Sequence, residues 1–169
     1  MKPQIDKDIL DLIEQQPDIT NKEIAHTLSL PENMIKDLLE ELSDTRQKIL
    51  IVDDELDALT ALKIALEAEN YNVVEAADGL SAIEKVKSEK PDIVLLDLMM
   101  PEIDGIEVCK RLKSDSQHKH VPIIMLTAKG EINDKIEGIE IGADDYVTKP
   151  FNLNELKARI KMVLRRSQD

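Results

Sequence analysis

Residues 92–97 read DIVLLD, a run of four apolar residues closed by a carboxylate. The same grammar recurs along the chain. KILIV (48–52) runs into Asp53 and Asp54, PIIML (122–126) into Thr127, and DYVT (145–148) into Lys149. Apolar runs of this length, rich in β-branched residues, suit strands buried on both faces, as in a parallel sheet with helices on each side. The carboxyl ends of such strands share one edge, so groups far apart in sequence converge in one crevice. Three carboxylates, a hydroxyl and an ammonium meet there on this reading. Crowded carboxylates repel unless a cation offsets them, which points to a divalent metal and to chemistry on a phosphate.

Beyond these runs, the periodicity predicts strands over 48–52, 72–75, 93–96, 123–126 and 145–148. Amphipathic stretches at 55–69, 79–89, 106–113, 132–141 and 153–166 alternate with them. Five βα units of an α/β doubly wound sheet follow. Pro91, Pro101, Pro122 and Pro150 fall at element boundaries, where a fixed φ and a missing donor do least harm. Residues 5–42 carry helical patterns only, so the chain divides into 1–46, a small all-α domain with its linker, and 47–169. In the first part a helix is predicted from Asp6 to Gln15. A Thr20–Glu23 capping box starts a second, and Pro31 opens a third that ends near Leu42. Ile9, Leu12, Ile13, Ile24, Leu28, Ile35, Leu38 and Leu39 would form its core.

The formal net charge of −13 argues against unassisted, sequence-independent binding to nucleic acid. It suits a soluble, cytoplasmic protein without a membrane-bound role. The single cysteine, Cys109, cannot form an internal disulfide and sits at an apolar helical position. No apolar run is long enough to span a membrane.

Taken singly, the strand-end residues have plainer explanations. Asp53 or Asp54 would cap a helix, Thr127 would serve a turn, and Lys149 would be a solvated charge. None of these explains why all the groups share one edge. Glu102 and Asp104, in PEIDG, read as exposed turn residues, and His118 and His120 as part of a polar loop rather than a metal site.

The order VDDE, LLDLMMPEIDGIE, MLTA, GADDYVTKPF resembles response regulator receiver domains across 47–168. That resemblance implies a flavodoxin-like (βα)5 sheet with strand order 2-1-3-4-5, one of the common doubly wound orders, in which ligands bind where the order of strands reverses. It implies a switch in two-component signalling rather than an enzyme. Asp97 would accept a phosphoryl group from a histidine kinase or phosphotransfer protein, as an aspartyl phosphate. Mg²⁺ would sit on Asp53, Asp54, Asp97 and the backbone carbonyl of Met99. Lys149 and Thr127 would hold the phosphoryl oxygens. Thr127 and Tyr146 would form the switch, with Tyr146 turning inward, and a cis bond would precede Pro150.

The stretch 135–166 is further similar to the OmpR/PhoB subfamily. This implies a phosphorylation-dependent homodimer bridged by Lys135 with Glu155, Asp144 with Arg166, and Asp145 with Arg159, each between subunits. Those regulators carry a DNA-binding domain after the receiver, whereas here the additional module lies in front and the sequence ends at Asp169. NKEIAHTLSLPENMIKDLLEEL (21–42) looks like the helix-turn-helix core of winged-helix transcription factors.

Charge weighs against a DNA role for this module. Residues 1–46 hold five Lys or Arg against eleven Asp or Glu, a net of −6. The third helix offers Glu32, Asp37, Glu40 and Glu41 against Lys36 alone. A protein partner is therefore expected ahead of DNA, with a DNA-binding transcriptional regulator as the alternative. An aspartyl-phosphate phosphatase of the haloacid dehalogenase kind is the weaker alternative, because it needs a second acid where Met99 stands.

Overall fold

A computed structural model describes residues 2–128 and 142–168. The chain divides into two compact units, Met1–Thr45 and Arg46–Asp169. The predicted helix over 132–141, and with it Lys135, lies outside the described residues.

The first unit holds helices α1 (Lys2–Gln15), α2 (Asn21–Leu28) and α3 (Glu32–Ser43). Helix α1 begins four residues before the predicted Asp6, because Pro3 falls in the first turn, where a missing N–H has no intrahelical partner to lose. The capping box forms as expected. Thr20 Oγ1 accepts from the Glu23 amide at 3.2 Å, and the Glu23 carboxylate accepts from the Thr20 amide at 2.7 Å. Ile9, Ile24, Ala25, Ile35 and Leu38 are buried at the centre, with Leu12, Ile13, Leu28 and Leu39 packed half-buried around them.

The second unit is a sheet of five parallel strands in the order β2-β1-β3-β4-β5. The strands are β1 (Lys48–Val52), β2 (Asn72–Ala76), β3 (Ile93–Asp97), β4 (Ile123–Ala128) and β5 (Asp145–Lys149). Helices α4 (Leu56–Glu67), α5 (Gly79–Glu89), α6 (Gly105–Ser114) and α7 (Leu153–Ser167) complete its described elements.

Alternation along each strand sends neighbouring side chains to opposite faces. Leu50, Val52, Val94, Leu96, Ile123, Met125 and Tyr146 therefore join α5 and α6 in one core. Ile49, Ile51, Ile93, Leu95, Ile124, Leu126 and Val147 join α4 and α7 in the other. This two-sided burial explains why the strands read as unbroken apolar runs.

Candidate functional site

The strand register decides where the polar residues fall. Asp97 is the last residue of β3 and pairs in register with Leu126, while Thr127 pairs with Thr148 and Ala128 with Lys149. Asp53 follows β1 directly, its amide donating to the Ala76 carbonyl at 3.2 Å. Among the described residues, the buried polar side chains are Asp53, Asp97 and Thr127, at 4 %, 8 % and 2 % exposure. All three come from strand ends at the same edge. Asp54 is exposed beside them.

One carboxylate oxygen each from Asp53, Asp54 and Asp97 lie within 4.8 Å of one another. Lys149 Nζ donates to Asp53 Oδ2 at 2.9 Å and to Asp97 Oδ1 at 3.2 Å. The ion pair affects its two members unequally. Burial pushes the Asp97 carboxyl up to about 6; Lys149 pulls it down, while Asp53 and Asp54 push it further up. Burial also works against the Lys149 ammonium, yet the Asp53 and Asp97 carboxylates outweigh it and hold that group above its ordinary range. One cation shared between acids stays charged itself but leaves Asp97 under-compensated.

An all-oxygen donor set on a buried acidic edge fits a hard divalent cation, which takes carboxylates and retains several waters. Asp53 has a second task, since its Oδ1 accepts from the Glu55 amide at 2.9 Å and shapes the entry to α4. The plainer cap explanation does not hold here, since the N-cap of α4 is Glu55 without a side-chain hydrogen bond, and the Asp53 contact is a turn ahead of the helix. The peptide bond between Lys149 and Pro150 is cis, as expected. Met99 lies two residues past Asp97 with its side chain exposed.

Tyr146 is only 6 % exposed and already belongs to the core beneath α5 and α6, and burial pushes its phenol up to about 12. Tyr146 thus stands in the inward position in this structure. The charged positions expected between subunits are largely engaged within the chain. Arg159 Nη1 donates to both Asp145 oxygens at 3.0 and 3.1 Å, and its Nε to Glu155 at 3.0 Å. Asp144 accepts from Lys113 Nζ at 3.2 Å. Among the described residues Arg166 forms no ion pair.

Sequence reasoning misses three supporting residues. Asp104 caps α6, its Oδ1 accepting from the Glu107 amide at 2.9 Å, although an Asp three residues ahead of Glu is a readable capping signal. Gly105 donates to the Leu98 carbonyl at 2.8 Å, and a Cβ there would strike the Asp97 carbonyl oxygen and stand 2.9 Å from Leu98 Cα. Glycine at this position lets α6 start directly against the end of β3. Lys113 reaches Asp144 across 31 residues, which no local pattern signals. His118 pairs its Nδ1 with Asp115 at 2.8 Å, and with His120 it lines a concavity of about 500 Å³ at the opposite, amino-terminal edge of the sheet. That hollow contains none of the strand-end acids, and the carboxyl edge is where a doubly wound sheet presents its ligand.

Comparison with known proteins matches the response regulator receiver domain over residues 49–161 and a winged helix-turn-helix DNA-binding family over residues 3–46. The chain is 52% identical over 122 residues to the alkaline phosphatase synthesis transcriptional regulatory protein PhoP of Bacillus subtilis, covering 72% of this chain and 50% of that protein. It is 51% identical over 119 residues to the phosphate regulon transcriptional regulatory protein PhoB of Pseudomonas aeruginosa, covering 70% of this chain and 52% of that protein. The chain thus spans about half the length of these curated relatives. The solved structure of the chemotaxis protein CheY4 of Vibrio cholerae aligns with a TM-score of 0.67 at 34% identity, over 70% of this chain and 99% of that one.

The helix-turn-helix match corrects the ranking of a protein partner above DNA. Net charge averages over the whole module, whereas a winged helix-turn-helix docks through one helix face. On α3 that exposed face includes Asn33 and Lys36 as well as the acids. No helix among the described residues is long and apolar enough to cross a membrane. Receiver sheet, acidic strand-end cluster and amino-terminal helices agree with the matches: the chain belongs to the response regulator receiver family, joined at its amino terminus to a module of the winged helix-turn-helix kind.

Proposed function

We propose that the chain is a phosphorylation-dependent response regulator whose amino-terminal module engages DNA. A carboxylate oxygen of Asp97 attacks the phosphorus of a phosphohistidine on a histidine kinase or phosphotransfer protein. The new O–P bond forms as the P–N bond breaks, and the imidazole leaves with the electron pair. Asp53, Asp54, Asp97 and the Met99 carbonyl would hold Mg²⁺, which when bound offsets charge on the phosphoryl oxygens. Lys149 is already within reach of Asp97 and follows the new charge, and Thr127 supplies a hydroxyl. Thr127 and Tyr146 form the switch, and the β5–α7 face with Lys135 pairs two copies. The observation that carries this reading is the convergence of Asp53, Asp54 and Asp97 within 4.8 Å, with Lys149 donating to Asp53 and Asp97.

Relatives that are transcriptional regulators favour DNA as the output. Asn33 suits bidentate contact with adenine and Lys36 a phosphate. The surrounding acids keep non-specific affinity low, so tight binding requires two modules brought together in a dimer.

The test is intact mass, sedimentation and DNA fluorescence anisotropy with and without Mg²⁺ and acetyl phosphate. Wild type should gain one phosphoryl group, dimerise and bind its site more tightly, whereas Asp97→Asn should do none of these. An adduct that persists in Asp97→Asn overturns the assignment.

A further inference from the structure

Four of the six charges expected to join two copies of the receiver, Asp144, Asp145, Glu155 and Arg159, are held inside a single copy, and one of the holders is a lysine that neither the site nor the family pairing uses. Lys113 stands in the last turn of α6. Its ammonium donates to the Val121 carbonyl at 2.8 Å, to the Lys119 carbonyl at 3.3 Å and to Asp144 Oδ2 at 3.2 Å. The stem packs near Gly142, where a Cβ would meet Lys113 Cγ at 3.4 Å, and Gly142 has φ +100, a conformation suited to glycine. The Lys113 side chain is only 16 % exposed.

Asp144 is stitched to β4 as well. Its Oδ2 accepts from the Ile123 amide at 2.8 Å and its own amide donates to the Ile123 carbonyl at 2.8 Å. Lys113, Asp144 and Ile123 thus form a knot at the amino ends of β4 and β5, the two strands whose other ends carry Thr127 and Lys149. The Asp144 side chain remains 37 % exposed, so a second cation can approach it from solvent.

The geometry points to Lys113 as the in-chain competitor that sets the threshold for self-association, by holding the Asp144 carboxylate that Arg166 of a second copy would take. The inference rests on the proposed dimer. Two-fold symmetry makes the competition occur twice per dimer, so a modest preference at one site is doubled in the assembly. Removing the ammonium frees Asp144 without adding any contact between copies, so tighter association would come solely from the loss of a rival.

The decisive variant is Lys113→Met, which keeps the packed stem and deletes the three donor contacts. Sedimentation equilibrium of the full chain, with Mg²⁺ and acetyl phosphate, reads the dimer dissociation constant. Lys113→Met should tighten it roughly tenfold, given two modest ion-pair competitions per dimer. Lys113→Arg should restore the wild-type constant. In Asp144→Asn, which keeps an acceptor for the Ile123 amide, association should weaken and Lys113→Met should have no further effect. Thermal melting of each variant checks that the fold survives.

A wild type that dimerises on phosphorylation while Lys113→Met matches it overturns the role of Lys113 and leaves the dimer intact. Tightening that persists in the Asp144→Asn background also overturns it, because the effect then does not pass through that carboxylate. A fully phosphorylated wild type that stays monomeric overturns the dimer and this inference together.

Discussion

The two units solve the same folding problem with very different margins. Around its centre the helical unit buries Ile9, Ile24, Ala25, Ile35 and Leu38, and among its described residues none of the buried core is polar. The sheet unit has two cores, one under each helical layer, and buries Asp53, Asp97 and Thr127 at the edge between them. Burying an ionisable group costs stability unless it is paired, and only a large apolar core leaves enough surplus to tolerate it. Reactive groups are accordingly concentrated where the margin is widest. The small module lies below the size at which one core is comfortable.

Truncating one buried isoleucine in the smaller core puts this difference under the greatest load. Ile35→Ala should cost about 4 kcal/mol and abolish the cooperative unfolding of the module. Leu95→Ala in the sheet should cost a similar amount but leave that unit folded. Two-transition calorimetry would show one transition lost in the first variant and one lowered in the second. Equal losses of fold in both units would refute the difference in margin.

A smaller effect is expected at Gly105. An added methyl meets the Asp97 carbonyl and the Leu98 backbone rather than a flexible side chain, so the end of β3 must move. Gly105→Ala should lower receiver stability by about 1–3 kcal/mol and slow phosphorylation by acetyl phosphate, while the module's transition stays where it was. Unchanged stability with normal phosphorylation would mean that α6 can slide away without cost.

The subtlest effect is on pH. Burial raises the Asp97 carboxyl from 3.8 to about 6, so the folded chain holds a proton that the unfolded chain has released across that interval. In metal-free buffer receiver stability should therefore fall as pH rises from 3.8 to about 6 and flatten above it. After allowance for residual solvent, the drop should be roughly 1–2 kcal/mol and should vanish in Asp97→Asn. Phosphorylation should weaken in the opposite direction, as pH falls through about 6 and the nucleophilic oxygen gains a proton. Urea titrations across pH check this, and a stability that rises over that interval would contradict the sign.

Much of the sheet is readable from sequence because two-sided burial leaves unbroken apolar runs. The strand ends are less so. Periodicity places the last strand residues at Leu96, Leu126 and Thr148, while the ladder runs on through Asp97, Ala128 and Lys149. Hydrophobicity cannot see a strand that continues into polar residues, yet backbone pairing does, as when the Leu98 amide donates to Leu126. Asp97, Thr127 and Lys149 thus belong to the last rungs of the sheet and not to the loops beyond it. The membership of the candidate site is readable, since each acid follows a run. Its ion pairing is not, because Lys149 and Asp53 are 96 residues apart and any of the acids could have taken the ammonium. The same blindness hides the Lys113 bridge and the in-chain partner of Arg159. In the helical unit the main departure is the start of α1, where a proline within the first turn masks the true beginning.

Odd and even positions along the central strands lead to separate consequences. Asp97 and Lys149 continue the parity of Leu95 and Val147 on the α4–α7 side, and Thr127 continues that of Met125 on the side where Tyr146 is packed. On the proposed function, the two faces of the sheet meet at this one edge, with the acids and the ammonium entering from one face and the Thr127 hydroxyl from the other. A residue shifted by a single register step would exchange those faces, so lengthening β4 by one position should uncouple the two rather than merely loosen them.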